Sequence, residues 1–496
     1  MTESAGLTGS DAKRAARNVS VLMLASVISK GALYLWQIAL SVLLGPSEYG
    51  IYGTIGGMMV TAASVASFGM GLIVIRDVAR EPQKAGKYWT SMLFAQTLLA
   101  LLAYIGVNGV AIGYSEPLRG LAALAGINLF VDLFGTMGYE LLIAREKMVK
   151  ASLVETVHIW LALGAGWGLL GVYGASLLSG LLRSIALVGL NLRDGVVPEF
   201  PFDWATAKPL LINSAPLALS AFLTLAYSHS DKLLTTGILS ERVTGYLTAA
   251  FVINFGVIEL LSISVLVAAY PLLSRYYDEG RNPFFGFMIE KLTLYMFLVA
   301  LPMALSISIL ADKIMAPLLG EAYAPSAGIL RLLIWYTGLA IVGNVLTRGL
   351  LIQNRQRRLL LIRGASLALN IALTALLLLN WRDPRGAVVA SIIGEALVLV
   401  ALLLTFRALG WQPKRVALSA GRAAVVAIPA ALVMLALREQ FIALPLISGL
   451  GVYLGGVILA RVLSAEDWDL IYRLASTMPG AALLARIWKR DVDLSW

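Results

Sequence analysis

The chain has 496 residues, of which 59% are hydrophobic and only 14% are charged, and it contains no cysteine. Soluble domains carry about 25% charged residues, whereas apolar runs of about 20 residues, the length that crosses a bilayer, recur here from residue 19 to residue 462. The absence of cysteine excludes disulfides, thiolate metal sites and cysteine nucleophiles. The net charge of +10 does not indicate nucleic acid, because basic residues mark the cytoplasmic loops of membrane proteins. The apolar runs are continuous rather than alternating, so they predict an all-α polytopic membrane protein and not a β-barrel.

In chain order, the apolar runs predict about fourteen transmembrane helices. They cover residues 19–44, 50–75, 89–112, 118–144, 151–170, 172–192, 209–236, 244–273, 286–311, 327–352, 359–380, 386–408, 417–437 and 441–462. The fifth and sixth helices are the least distinct, because Gly171 to Gly174 would be their whole connection. The first run is too long for a cleaved signal peptide, so the polar segment 1–18 precedes a retained helix. Residues 465–496 have the spacing of an amphipathic helix that lies on the inner leaflet.

Basic residues predict the orientation of the chain. With the N-terminus inside, every inner loop is basic, and the outer loops hold only scattered basic residues such as Arg119, Arg242 and Lys313. This distribution obeys the positive-inside rule. It predicts a multi-pass protein of the cell (inner) membrane with both termini in the cytoplasm. All the loops are short, which leaves no room for a soluble domain between helices.

The sequence repeats itself near its middle. The segment Leu44 to Tyr52 is echoed by Leu239 to Tyr246 and, more weakly, by Leu319 to Tyr323, while Gly174 to Ser179 is echoed by Gly386 to Ser391. The echoes predict two six-helix lobes, 19–192 and 209–408, joined by a cytoplasmic linker at 193–208 and followed by two helices in 409–464. Parallel repeats of this kind occur in transporters whose binding site lies between the halves.

These segments resemble the Wzx-type polysaccharide flippases of the multidrug/oligosaccharidyl-lipid/polysaccharide exporter superfamily. The similarity lies in the order of several degenerate motifs: Leu44 to Tyr52, Phe68-Gly69 with Arg76 to Arg80, Asp231 to Leu234 with Gly245 to Ala250, Pro271 to Ser274, and Leu319 to Ala327. The resemblance implies that a polyprenyl-diphosphate-linked oligosaccharide moves from the inner to the outer leaflet by alternating access between the lobes. Two extra C-terminal helices are also common in that family.

Two deep cations are the predicted diphosphate ligands. Lys30 lies beyond the bilayer midplane in the first helix, and Arg183 lies near the midplane in the sixth. Charges at such a depth usually line a cavity or pair with each other, and Arg and Lys both bind phosphate oxygens. The alternative is structural pairing of either cation with Asp132, Glu140 or Glu155.

Five further charged residues are candidates for the cavity, for ion coupling or for gating: Asp132, Asp231, Lys232, Glu259 and Glu395. The echo of Gly174 with Gly386 aligns Arg183 with Glu395, so Glu395 is expected to face a polar cavity or to couple transport to H+ or Na+. Glu259 is a second candidate of that kind. Adjacent helical residues do not face each other; Asp231 is therefore expected to face the other lobe near the outer opening, and Lys232 to reach outward.

Other classes of protein fit the sequence less well. An enzyme would need acids or nucleophiles on sizeable outer loops, and no nucleophile–base pair, metal cluster or cofactor motif stands out. A multidrug antiporter of the MATE type would need an acidic ion site in its early helices, where this chain has Lys30. A lipid II flippase would share the architecture, and a non-transporting scaffold would give the deep charges no purpose. The predicted partners are therefore the lipid-linked oligosaccharide and membrane lipids.

Overall fold

The described part of the chain is helical almost throughout, as expected of segments that must satisfy their own backbone hydrogen bonds in lipid. A computed structural model describes residues 9–161, 168–258, 273, 277, 282–407, 413–464 and 467–468, with side chains from Gly31 onward apart from a few residues inside helices. The described part contains no β-strand. The predicted all-α fold is confirmed.

Fifteen α-helices, numbered in chain order, make up the described residues. They are α1 (Gly9–Ser67), α2 (Met70–Arg80), α3 (Ala85–Ala111), α4 (Glu116–Ala144), α5 (Met148–Leu161), α6 (Gly168–Arg193), α7 (Trp204–Ile238), α8 (Glu241–Ile258), α9 (Asn282–Ile309), α10 (Ala311–Leu319), α11 (Ala324–Ile352), α12 (Gln356–Trp381), α13 (Arg385–Arg407), α14 (Pro413–Ala436) and α15 (Ala443–Leu459).

The long helix α1 is two antiparallel spans joined at Gly45. Gly45 has a positive φ of 69°, which interrupts the helix. Gln37 Nε2 donates to the Tyr52 hydroxyl over 3.2 Å, and the Tyr49 hydroxyl donates to Gln37 Oε1 over 3.0 Å. In one continuous helix, residues 37 and 52 would be about 22 Å apart. The chain therefore reverses at Gly45, in the middle of the predicted outer turn.

The described helices account for most of the predicted spans. Within the described residues, 10 helical stretches are long and apolar enough to cross a membrane, and the first of them contains both halves of the broken α1. Helix α15 is a shorter apolar helix, and α5 and α8 end where the described residues end. Helix α2 continues the second predicted span past a break at Phe68 and Gly69, both with positive φ.

The helices form two lobes. Helices α1 to α6 pack together in the N-lobe, and α7 to α13 pack together in the C-lobe. Helices α14 and α15 pack on the outside of α9, where the Tyr453 hydroxyl donates to the Leu298 carbonyl over 3.1 Å. We call the end of the bundle that carries the α1 turn the Gly45 end, and the opposite end, where α2 finishes, the Arg80 end.

Two connections differ from the sequence expectation. Gly171 to Gly174 lies inside α6, which begins at Gly168, so it is not the turn between the fifth and sixth spans. The two glycines at 171 and 174 suggested a turn, but glycine in a membrane helix also allows close packing of neighbouring helices without ending the helix. The short helix α10 and the turn at Glu321–Tyr323 were not predicted; they carry the chain across the Gly45 end of the C-lobe.

Candidate functional site

A cavity of about 640 Å³ lies between the two lobes. Its N-lobe wall comes from α1, α4 and α6, and its C-lobe wall from α7 and α8. Most of the lining is apolar, aromatic or neutral and polar, the polar members being Tyr34, Gln37, Tyr52, Asn128, Tyr173, Ser176 and Thr248. Among the described lining residues, Lys232, Asp132 and His229 are ionisable. The described lining therefore combines one basic amine and one carboxyl group with a largely neutral surface.

Lys232 is buried at the C-lobe wall of this cavity. Its side chain is 6% exposed, and its Nζ lies 5.0 Å from the ring centroid of Phe251 and 5.6 Å from that of Phe255. Aromatic faces attract ammonium groups at these distances, the more so when water is excluded. The structure thus differs from the expectation that Lys232 reaches outward, because α7 lies at the lobe interface and the rings of α8 hold the ammonium inside.

Asp231 points away from the cavity, into its own lobe. It is 3% exposed, its Oδ1 accepts a hydrogen bond from the Lys232 backbone N–H over 2.8 Å, and Tyr336 of α11 lies near it. Adjacent side chains on a helix diverge by about 100°, so only one of this pair reaches the cavity. The expectation that Asp231 faces the other lobe therefore differs from the structure, which gives that position to Lys232.

The cavity is closed at the Gly45 end by a seam of small residues. A Cβ at Gly50 of the N-lobe would overlap the Glu241 carbonyl oxygen, and a Cβ at Gly245 of the C-lobe would overlap the Pro46 carbonyl oxygen. The two contacts are reciprocal, because Pro46 and Gly50 occupy the same places in the first echo as Glu241 and Gly245 do in the second. The repeated segments thus meet each other at the lobe interface.

Hydrogen bonds between the lobes reinforce this seam. The hydroxyls of Thr54 and Thr236 are 2.6 Å apart, and Thr236 donates to Thr244 over 2.7 Å. Further links between the lobes run from the Tyr114 hydroxyl to the Leu233 carbonyl, from the Tyr323 hydroxyl to the Ser41 carbonyl, and from Ser115 to Glu241. Each hydrogen bond that joins the two lobes must break if they separate at the Gly45 end, whereas the one from Thr236 to Thr244 lies within the C-lobe.

Arg183 lies in an ion pair of the N-lobe. Its Nε donates to Glu155 Oε1 over 2.7 Å, and its Nη2 lies 2.6 Å from the same oxygen. Arg183 is absent from the cavity lining, whereas Asp132, one turn along α4 from Asn128, belongs to it. Glu140 packs against the backbone of Gly71, and its Oε2 has no hydrogen-bond partner among the described residues. Arg183 therefore stands among three carboxylates and is placed as a counter-ion.

Glu395 occupies a comparable place in the C-lobe. It is buried, and its Oε2 lies 3.5 Å from Nη1 of Arg363, which also reaches Thr347. Helices α5 and α6 of the N-lobe correspond to α12 and α13 of the C-lobe, so each lobe carries one arginine–glutamate pair with the signs exchanged. The structure brings Glu395 to Arg363 and not to the described cavity.

Two predicted residues fall outside the described part. Lys30 lies in α1, but its side chain is not among the described ones, and Glu259 lies beyond the last described residue of α8. The sequence reasoning also missed Gln37, which faces the cavity and binds Tyr49 and Tyr52. The repeat held the signal: the alignment that matches Gly50 with Gly245 also matches Gln37 with Lys232.

Comparisons with known proteins agree with this architecture. A family model described as "Polysaccharide biosynthesis protein" matches residues 39–328. A search of curated proteins found no match. Among solved structures, lipid II flippase MurJ in an inward closed conformation is similar with a TM-score of 0.73 and 14% identity, covering 90% of this chain and 100% of that one.

Two other similar structures are multidrug transporters or their relatives. An inward-facing MATE family transporter of the MOP superfamily has a TM-score of 0.63 and 16% identity over 78% of this chain and 99% of its own. A MOP superfamily transporter from Pyrococcus furiosus, described as having a binding pocket of reverse polarity, has a TM-score of 0.56 and 15% identity over 80% of this chain and 96% of its own. At these identities the likeness shows a shared fold.

Proposed function

Because the chain belongs to the polysaccharide biosynthesis protein family and has the fold of MOP superfamily transporters, we propose that it is a flippase for polyprenyl-diphosphate-linked oligosaccharides. The lipid-linked glycan would move from the inner to the outer leaflet of the cell membrane, for the synthesis of a surface polysaccharide. The Gly45 end would face outward, both termini would lie in the cytoplasm, and the lobes would alternate in opening at the two ends.

The buried Lys232 in the inter-lobe cavity carries this proposal. Aromatic rings and neutral hydrogen-bonding groups such as Tyr34, Gln37 and Asn128 suit sugar rings and hydroxyls, and a single ammonium suits a phosphate oxygen. A lysine in the cavity would repel a cationic drug, so this residue disfavours a multidrug antiporter for cations. The lipid tail needs no cavity, because it can remain in the bilayer.

Coupling to an ion would use the acidic groups of the N-lobe. Asp132 is the carboxylate of the described cavity lining, and it stands close enough to Arg183 and Glu155 to interact with both. A proton or Na+ at Asp132 would change the charge of the cavity opposite Lys232. Neutralising Asp132 in Asp132→Asn would then remove the dependence of transport on an ion gradient.

The direct test measures translocation in proteoliposomes that contain a fluorescent polyprenyl-diphosphate-linked oligosaccharide, with a membrane-impermeant quencher added outside. We expect Lys232→Gln to slow transport about tenfold or more, since hydrogen bonds to charged groups contribute about 1.5–3 kcal/mol, and Lys232→Arg to keep part of the activity. Ser176→Ala is the matched control, because it changes the cavity lining without changing its charge.

Three outcomes would contradict the proposal. Wild-type vesicles without transport of any lipid-linked glycan would reject a flippase, and full activity of Lys232→Gln would reject the assigned role of the lysine. Efflux of a cationic drug by the wild-type protein would favour the antiporter. Parallel vesicles with lipid II distinguish substrates: preference for lipid II over other glycans would assign the protein to peptidoglycan synthesis.

A further inference from the structure

A basic groove lies at the Arg80 end of the C-lobe, apart from the inter-lobe cavity. It has a volume of about 450 Å³ and is formed by the turn between α11 and α12 together with Pro216 of α7. Arg355, Arg357 and Arg358 line it together with Asn354, Gln356 and Leu360. The lining of this groove therefore contains three arginines.

The turn that carries these arginines has a fixed geometry. Asn354 adopts a left-handed conformation with φ 55°, its N–H donates to the Leu351 carbonyl over 3.1 Å, and the Arg355 N–H donates to the Leu350 carbonyl over 3.0 Å. This pair of hydrogen bonds is the Schellman arrangement that ends a helix, with asparagine in the place that glycine usually takes. The backbone under the arginines is thus held in place before any ligand binds.

The three arginines have no counter-ion within the part of the chain that the structure describes. Four other basic groups at the same end are paired: Lys84 with Glu81, Lys147 and Lys150 with Asp194, and Lys291 with Asp467. Among the described residues, no carboxylate lines the groove. The positive-inside rule accounts for basic residues at this end of the bundle. It does not require that three of them line the same groove without a described acidic residue beside them.

We propose that this groove binds the diphosphate headgroup of the lipid-linked substrate before the glycan enters the cavity, an inference that rests on the proposed function. A guanidinium fork matches two phosphate oxygens at once, and a diphosphate offers enough oxygens for several forks. Pro216 precedes Lys232 by sixteen residues on α7, about 24 Å along the helix. The groove, which α7 reaches at Pro216, and the cavity, which α7 reaches at Lys232, are therefore two separate sites.

The binding test titrates inorganic diphosphate into the purified full-length protein in phosphatidylcholine nanodiscs by calorimetry. The protein carries Lys232→Gln, so that the cavity lysine does not contribute. Adding Arg355→Gln, Arg357→Gln and Arg358→Gln is expected to weaken binding about tenfold or more. The matched control adds Arg80→Gln, Lys84→Gln and Lys87→Gln, which removes the same charge from exposed residues at the same end of the N-lobe, and is expected to stay within about twofold.

The transport assay gives an independent measure with Lys232 present. The groove variant should raise the half-saturating substrate concentration about tenfold and leave the maximal rate unchanged, whereas Lys232→Gln lowers the maximal rate. Unchanged diphosphate binding by the groove variant, or an equal loss in the control, would overturn the proposal. The proposal would also be overturned if the groove variant kept diphosphate binding and lost only the binding of phosphatidylglycerol. That result would assign the groove to a phospholipid headgroup. Groove-dependent binding without any transport by the wild type would instead reject the proposed function.

Discussion

At Gly50 and at Gly245, one added methyl group would overlap a backbone carbonyl oxygen of the opposite lobe. We expect Gly245→Ala to hold the Gly45 end apart and to slow transport about tenfold or more, because backbone atoms cannot move aside as side chains can. A single cysteine placed at Ser176, in the cavity, should then react faster with an impermeant thiol reagent added at the Gly45 side. The chain has no native cysteine, so the label reports one position.

Gly56→Ala is the control for this change. Gly56 lines the cavity on α1, and a Cβ there would meet nothing within 4 Å. We expect its transport rate and its labelling rate to match those of the unaltered protein. Equal labelling of Gly245→Ala and Gly56→Ala would show that the glycine seam does not decide closure.

Arg183 offers a prediction about stability. Removing the guanidinium in Arg183→Gln leaves Glu155 without its partner in a half-buried place, and we expect a loss of about 2 kcal/mol in the free energy of unfolding. The double variant Arg183→Gln with Glu155→Gln should recover most of this loss, because the carboxylate that Arg183 contacts directly is removed with it. Thermal unfolding in detergent measures both. Loss of transport by a fully stable Arg183→Gln would instead favour a direct contact of Arg183 with the diphosphate.

At the scale of helices, the sequence located the spans well. The fourth span was expected at 118–144 and is Glu116–Ala144, and the tenth was expected at 327–352 and is Ala324–Ile352. Bilayer thickness and hydrophobicity determine such lengths, and both can be read from one sequence. The direction of Lys232 could not be read in this way, because the face that a helix presents depends on its packing partners, here the rings of Phe251 and Phe255.

Helices α14 and α15 are tied to α9 by Asp467, just after α15. Lys291 lies 2.6 Å from Asp467 Oδ1, the Tyr295 hydroxyl donates to the same oxygen, and Ser464 donates to Oδ2. Burial raises the pKa of Asp467, but the hydrogen bonds from Lys291, Ser464 and Tyr295 outweigh burial and hold the pKa below its usual value. The attachment is therefore present above about pH 4 and is lost as the pH falls through the lowered pKa.

We expect Asp467→Asn to loosen the end of the chain at neutral pH, since an amide cannot neutralise Lys291. Trypsin should then cleave after Arg461 several times faster than in the unaltered protein, which gel analysis of a time course would show. Glu439→Gln removes an exposed acid of the Arg438 pair at the Gly45 end and serves as the control. Identical cleavage of Asp467→Asn and Glu439→Gln would mean that Asp467 does not hold this segment.

At the scale of the whole molecule, the two lobes repeat a fold but not its charges. Each lobe contains one buried or half-buried arginine–glutamate pair, Arg183 with Glu155 in the N-lobe and Arg363 with Glu395 in the C-lobe. The acidic and basic residues of the two pairs lie on exchanged helices. Gln37 occupies the position that the repeat aligns with Lys232, so among the described lining residues the lysine lies on the C-lobe wall alone. The sequence echo predicted the opposite charges of Arg183 and Glu395. It could not reveal that each is neutralised inside its own lobe, because those partners come from neighbouring helices.

Alternation between the lobes can be stopped by one covalent link across the seam. The Thr54 and Thr236 hydroxyl oxygens are 2.6 Å apart, so cysteines at both positions can approach the sulfur–sulfur distance of about 2 Å in a disulfide. We expect oxidation of Thr54→Cys with Thr236→Cys to abolish transport and reduction to restore it, because the N-lobe and the C-lobe would be joined at the Gly45 end. Thr236→Cys with Thr244→Cys places a disulfide between hydroxyls only 2.7 Å apart inside the C-lobe, and oxidation should leave its transport intact. If the disulfide between the lobes formed and transport continued, substrate could not be leaving through the Gly45 end, and separation of the lobes there would not be part of the mechanism.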